Sequence, residues 1–167
     1  SRRAEQLATL HRIGLAITSA LDLKGVLEAL YERVRDVMDT DSFYVALYEE
    51  ETGTFEFPLI IYGQRRIQVE PPTDQDLGIL QTVIRSREPW HMPDLDAMPE
   101  DAPFRCTVPI GPHTRSYLAV PLVFRHQGFG VLSVQSTQPG AYSPAEVELL
   151  TTIATQASIA IQNARAY

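Results

Sequence analysis

The sequence predicts an α+β domain, and three observations carry that prediction. Apolar residues recur at helical spacing near both ends of the chain, two strand–turn–strand runs lie between them, and a proline-rich middle third separates those runs. The chain of 167 residues is the size of one ordinary domain, residues 1–167 without a division, and can bury a full core with no disulfide or structural metal.

Leu7, Leu10, Gly14, Ile17 and Leu21 step by three, four, three and four, which is a helical seam over about residues 3–20. Asp22 is placed to cap a second helix, whose Val26, Leu27, Leu30, Val34, Val37 and Met38 form its apolar face and which ends near Asp39. From Ser42 to Tyr48 the side chains are β-branched, aromatic or small, so a strand buried on both faces is expected. Alternation sets Phe43, Val45 and Leu47 on one face and Tyr44, Ala46 and Tyr48 on the other. The run 49–53, three glutamates, a threonine and a glycine, is a turn signal, and Phe55 to Tyr62 returns as the partner strand.

Eight of the twelve prolines fall between Pro71 and Pro112, interrupted by one short helical pattern through Leu77, Leu80, Val83 and Ile84. This segment reads as mostly loop, either a binding loop or lid or an idle excursion. Tyr117 to Phe124 and Phe129 to Gln135 form a second hairpin around the turn 125–128. Ser143, Pro144 and Glu146 combine an N-cap serine, a proline at the first helical position and a capping-box glutamate. Behind that start, Leu150, Ile153, Ala157, Ala160, Ala164 and Tyr167 continue at three and four, and the pattern is still helical at the last residue. Since both terminal helices look cut through, the expectation is a module excised from a larger protein.

Charge and cysteine content exclude several classes of function. A net charge of −7 offers no general attraction for nucleic acid or anionic lipid. The segment 149–164 carries too many threonines, serines and amides for a spanning helix, so no direct membrane contact is expected. One cysteine, Cys106, and no signal-peptide pattern point to the cytoplasm.

The segments Ser116–Leu122, Gly130–Ser136, Tyr142–Glu146 and Ala160–Ala164, with Leu21-Asp22-Leu23, Asp41, Glu88-Pro89-Trp90 and Pro93-Asp94 upstream, together resemble the GAF family of small-molecule-sensing domains. The resemblance spans nearly the whole chain. It implies an antiparallel sheet with the terminal helices packed on one face, and a pocket roofed by the middle helix and loops on the other. It also implies a regulatory module that dimerises through its terminal helices and controls an output domain of the same chain, with a sensor histidine kinase as the leading host. Carried over strand by strand, the ligand-facing positions are Tyr44 and Ala46, Tyr117 and Ala119, and Ser133 and Gln135. Two tyrosine rings with one serine and one glutamine make an apolar cavity with few orienting hydrogen bonds, unless the large side chains fill it themselves.

Arg65, Arg66, Arg85, Arg87, Arg105 and Arg115 also gather in this middle region, together with eight acidic residues that can pair most of them. Arg115, beside the strand, is the one placed to reach the cavity, where it would favour a carboxylate or phosphate.

No chemistry can be assigned from motifs. There is no nucleophile elbow, metal-binding helix motif or phosphate-cradling glycine loop, and His11, His91, His113 and His126 are scattered. His91 with Asp94 and Asp96 offers metal-ligand atoms, yet their spacing fixes no geometry, and no metal is expected. Cys106 has three readings: a packed small side chain, a reactive thiol or a chromophore attachment point. Bilin-binding GAF domains attach a tetrapyrrole to a cysteine in this region, usually followed by histidine, but Thr107 follows here. The methionine sulfoxide reductases of the family use more than one cysteine, and the Asn-Lys, Phe, Asp-Glu marker of the cyclic-nucleotide binders is absent. A non-catalytic sensor of a small cytoplasmic ligand is the leading reading, with the ligand and any cofactor unnamed. A ligand-free dimerisation scaffold is second, an enzyme is third because no nucleophile and base can be assigned, and a bilin photosensor is a minor fourth.

Overall fold

The computed structural model describes residues 22–68, 78–97 and 113–165. The seam from Leu7 to Leu21, together with His11, Arg105, Cys106 and Tyr167, lies outside the described residues. Chain order is α1 (Leu23–Val37), β1 (Ser42–Glu49), β2 (Thr54–Tyr62), β3 (Arg65–Arg66), α2 (Gly78–Ser86), β4 (Trp90–Met92), a 3-10 turn (Leu95–Ala97), β5 (Ser116–Phe124), β6 (Gln127–Ser136) and α3 (Pro144–Arg165). The six strands form one sheet in the order β3-β2-β1-β6-β5-β4, and all the pairings are antiparallel.

Local chemistry sets the helix starts. The Asp22 carboxylate accepts from the Lys24 N–H at 3.0 Å and caps α1. At α3, the Ser143 hydroxyl accepts from the Glu146 N–H at 3.3 Å while the Glu146 carboxylate accepts from the Ser143 N–H at 3.1 Å, a reciprocal capping box. The hydroxyls of Thr151, Thr152, Thr155 and Ser158 each donate to the carbonyl four residues back, which satisfies the polar groups of α3 along its length. No helix among the described residues is long and apolar enough to cross a membrane.

β1 is buried on both faces from Ser42 to Leu47, as the run of small, branched and aromatic residues requires. The β1–β2 register shifts between Val45 and Leu47, opposite the stretch that contains Pro58, whose missing N–H is tolerated at such an irregularity. The β5–β6 turn is tighter than the four residues expected. Phe124 pairs with Gln127, leaving a two-residue loop, and Arg125 and His126 both take positive φ, 51° and 67°. A two-residue loop matched to strand twist needs that backbone at both positions even without glycine or asparagine. β3 is a two-residue strand that follows the first hairpin, and β4, a short strand within the expected loop, runs along β5 with Trp90, His91 and Met92 opposite Ala119, Leu118 and Tyr117.

The sheet has helices on both sides. α1 and α3 cover one face, where Leu27, Tyr31, Val34, Leu150, Ile153 and Ile161 pack on inward strand residues such as Val45, Val120 and Leu132. α2 covers the other with Ile79, Leu80 and Val83. Its last turn lies so close to the second hairpin that a Cβ on Gly128 would sit 2.5 Å from the Ile84 carbonyl oxygen. The α3 seam is largely spent inside the chain, since Leu150, Ile153 and Ala164 are buried and Ala157 packs beside them. Leu149 and Ile159 face outward, Ile159 at 57% exposure.

Candidate functional site

Antiparallel pairing brings same-face residues of neighbouring strands into rows. One row runs Tyr44, Ser133, Ala119 and Trp90 across β1, β6, β5 and β4; the next runs Ser42, Gln135, Tyr117 and Met92. Ala46 lies one step further along, beside Val131. All of these positions face α2. Six of the seven residues singled out in the sequence, Tyr44, Ala46, Tyr117, Ala119, Ser133 and Gln135, therefore come together on one patch of sheet, each at most 1% exposed.

Within the patch the Tyr44 and Tyr117 hydroxyls hydrogen-bond each other across the Ser133–Gln135 strand. Trp90 meets the Tyr117 ring edge-on at 5.4 Å between centroids, and Phe57 meets Tyr44 in the same way at 5.7 Å. The Ser133 hydroxyl, wholly buried between Tyr44 and Ala119, has no hydrogen-bond partner among the described residues. A buried hydroxyl without a partner costs on the order of 1–3 kcal/mol, which makes it the most unusual atom of the face. The two rows hold hydroxyls, an amide, aromatic rings and methyl groups, but no carboxylate, guanidinium, amine or imidazole. Ser133 also has no base hydrogen-bonded to it that would make it a nucleophile.

Arg115 lies elsewhere. At the start of β5 its guanidinium grips Asp94 in a fork, Nη2 to Oδ2 at 2.7 Å and Nε to Oδ1 at 3.1 Å, with Asp96 at 3.2 Å. That hydrogen-bonded guanidinium holds the Asp94 carboxyl below the usual aspartate range. The arginine thus fastens the 3-10 turn to the sheet, and Asp94 reinforces it by accepting from the Asp96 N–H at 3.1 Å. Ser116, next along, closes the same corner. Its oxygen lies 2.6 Å from the Gln138 carbonyl and 3.0 Å from that of Pro93, and it accepts from the Ala141 N–H at 3.0 Å.

His91 points to the opposite face, its ring 6.4 Å from that of Tyr142, and its buried Nε2 has no partner among the described residues. Burial lowers its pKa below the ordinary 6.5. Among the described residues no group of three histidine, cysteine, aspartate or glutamate side chains is placed to hold a metal. Trp90, Met92 and Phe57 belong to the patch but were not read from the sequence. Trp90 and Met92 sit on the short strand hidden in the proline-rich segment, and their shared spacing of two is the one signal they offer.

Comparison with known proteins gives a coherent result. A family model described as "GAF domain" matches residues 20–162. The circadian input-output histidine kinase CikA of Thermosynechococcus vestitus is 24% identical over all of this chain, which spans 24% of that protein's length. The GAF domain of an Acinetobacter phosphoenolpyruvate-protein phosphotransferase is 25% identical with a TM-score of 0.64, the match covering 97% of this chain and 96% of that one. The free methionine-R-sulfoxide reductase from Neisseria meningitidis, solved in complex with its substrate, superimposes with a TM-score of 0.70 at 14% identity, over 94% of this chain and 88% of that one.

Proposed function

Since the chain belongs to the GAF domain family, we propose that it is a non-catalytic sensory module that binds a small uncharged molecule against the α2 face of its sheet. The observation that carries this reading is the Ser133 hydroxyl, without a hydrogen-bond partner among the described residues and buried in two sheet rows of rings, alanines and hydroxyls that hold no charged side chain. A ligand with one acceptor or donor group and a flat apolar body would satisfy that hydroxyl and lose little on leaving water. Among the described residues no nucleophile and base are paired on this face, in keeping with sensing.

Binding there would act first on α2. That helix touches the second hairpin at Gly128, and the hairpin strands carry α3 on their other side, so a tilt of α2 has a packed route to α3. The output is a signalling domain of the same protein, in the manner of a histidine kinase, working in the cytoplasm. This relation is supported by similarity to CikA, which is itself a histidine kinase.

The test is native mass spectrometry of the freshly purified protein, followed by thermal unfolding against a library of uncharged metabolites. A noncovalent mass excess, or a compound that raises the unfolding temperature, is expected, and Ala46→Leu should abolish the shift by filling the patch. A bare chain that no compound stabilises would overturn the reading.

The outward residues Leu149 and Ile159 favour a homodimer through α3 as the transmitting assembly. Sedimentation should show a dimer that Ile159→Glu dissociates without unfolding. If Ile159→Glu leaves the mass unchanged, that contact is wrong.

A further inference from the structure

At the end of the strands opposite Tyr117 and Gln135 lies a groove of about 610 Å³, formed where the tip of the β5–β6 hairpin meets the end of α2 and the end of β1. Its floor is apolar, with Ile84, Phe124 and the nearly buried Phe129. Its rim carries Arg85, Arg87, Arg125 and His126 against one lining carboxylate, Glu50. This is a local excess of positive charge in a chain whose net charge is −7.

The rim arginines differ from those held in ion pairs. Arg35, Arg66, Arg115 and Arg165 each pair with a carboxylate. Among the described residues, Arg85, Arg87 and Arg125 form no such pair. Their backbone is nevertheless closely held. Arg87 takes φ 58° at the end of α2, and its Nη1 donates to the His126 carbonyl at 2.8 Å, joining helix to hairpin tip. Arg125 and His126 occupy the two positive-φ positions of the turn, where glycine or asparagine would sit with less strain. The Arg125 guanidinium lies over the Phe124 ring, 5.2 Å from its centroid, so charge and apolar floor adjoin. Gly128 lets α2 approach closely enough to form the wall between them.

We propose that this groove is a second ligand site, distinct from the α2 face, and that it takes a small molecule carrying an oxyanion, a phosphate monoester or a carboxylate, on an aromatic or aliphatic body. Exposed guanidiniums without carboxylate partners present forked donors to such a group, and the ring-lined floor takes the body. Glu50 on the rim weakens binding and sets a limit on the charge the groove accepts.

Titration of the whole chain with phenyl phosphate, benzoate and benzyl alcohol, followed in ¹H–¹⁵N spectra at the backbone amides of 124–129 and the arginine Nε–H signals, tests this. Phenyl phosphate or benzoate should shift those signals, with affinity falling about 3-fold or more as salt is raised. Arg85→Gln and Arg125→Gln should each weaken binding by about 5-fold or more, as expected for loss of a charge-assisted contact. Glu50→Gln should tighten it, and Arg35→Gln, remote from the groove, should change nothing. A preference for phenyl phosphate over benzoate assigns the phosphate, and the reverse assigns the carboxylate. The proposal fails if benzyl alcohol binds as tightly as the anions. It also fails if the Arg85→Gln/Arg125→Gln double variant, its other amide signals unmoved, binds both anions as the parent does, or if the shifts map outside the groove.

Discussion

On the α1/α3 side of the sheet, Phe43, Val45, Leu118, Val120, Leu132 and Val134 are all apolar and at most 1% exposed. On the α2 side, Tyr44, Tyr117, Ser133 and Gln135 are buried to the same depth, on the same strands, in alternate positions. Equal burial with unequal chemistry separates two demands on one sheet. The first side is a packing surface, where each methylene removed from water adds to stability. The second keeps polar atoms in a place where each must find a partner or cost free energy, as expected of a surface that meets a ligand.

The comparison breaks most visibly under truncation. Leu150→Ala on the α1/α3 side should cost about 2–5 kcal/mol in denaturant unfolding, because Leu150 is fully buried in a cluster that cannot close over the space. On the α2 side Tyr44→Phe or Tyr117→Phe should cost about 1–2 kcal/mol, by leaving the other hydroxyl short of a hydrogen bond. The double variant should cost less than the sum of the two, since the bond between the hydroxyls is lost in either single variant. Additive costs would mean that each hydroxyl is held independently, and the two rings would then not act as a pair.

Ser133→Ala has the smallest expected effect of the three and the sharpest meaning. The hydroxyl it removes has no partner among the described residues, so stability in urea should stay constant or rise, by no more than about 1–3 kcal/mol. Any ligand-dependent stabilisation should fall. A loss above about 1 kcal/mol without ligand would mean that the hydroxyl is structural, and the two faces would then differ less than their side chains indicate.

Much of the fold is legible in the sequence, for reasons that vary by element. Strand alternation has a period of two, so once the first and later hairpins are recognised, the membership of each face follows, and Tyr44, Ala46, Tyr117, Ala119, Ser133 and Gln135 fall together. The capping signals at Asp22 and at Ser143 to Glu146 are local chemistry and hold as read. Trp90 to Met92 was hidden because a three-residue edge strand between prolines is fixed by the backbone of β5, not by its own pattern. The α3 seam was ambiguous for a different reason: a helix packed on its own sheet and one packed on a partner share nearly the same period. The structure puts Leu150, Ile153 and Ala164 inside the chain. Arg115 cannot be placed by sequence either, because its commitment to Asp94 is a contact between positions 21 residues apart, which no local pattern encodes.

A last and smaller effect lies at the edge of the α1/α3 side, where a histidine interrupts the apolar rule. The partnerless Nε2 of His91 packs beside Tyr142, whose hydroxyl donates to the Asp39 carbonyl at 2.8 Å and whose burial keeps it protonated. Burial lowers the His91 pKa from its ordinary 6.5, so below that value the unfolded chain binds a proton that the folded chain resists. Stability from this group is therefore complete above about pH 6.5 and is lost as pH falls through the lower, folded value. Urea midpoints measured from neutral pH downward should decline in the parent before the carboxylates titrate, and His91→Gln should flatten that part of the curve. An unchanged slope in His91→Gln would show that water reaches the imidazole, and the α1/α3 side would then be dry at its centre but open at its β4 edge.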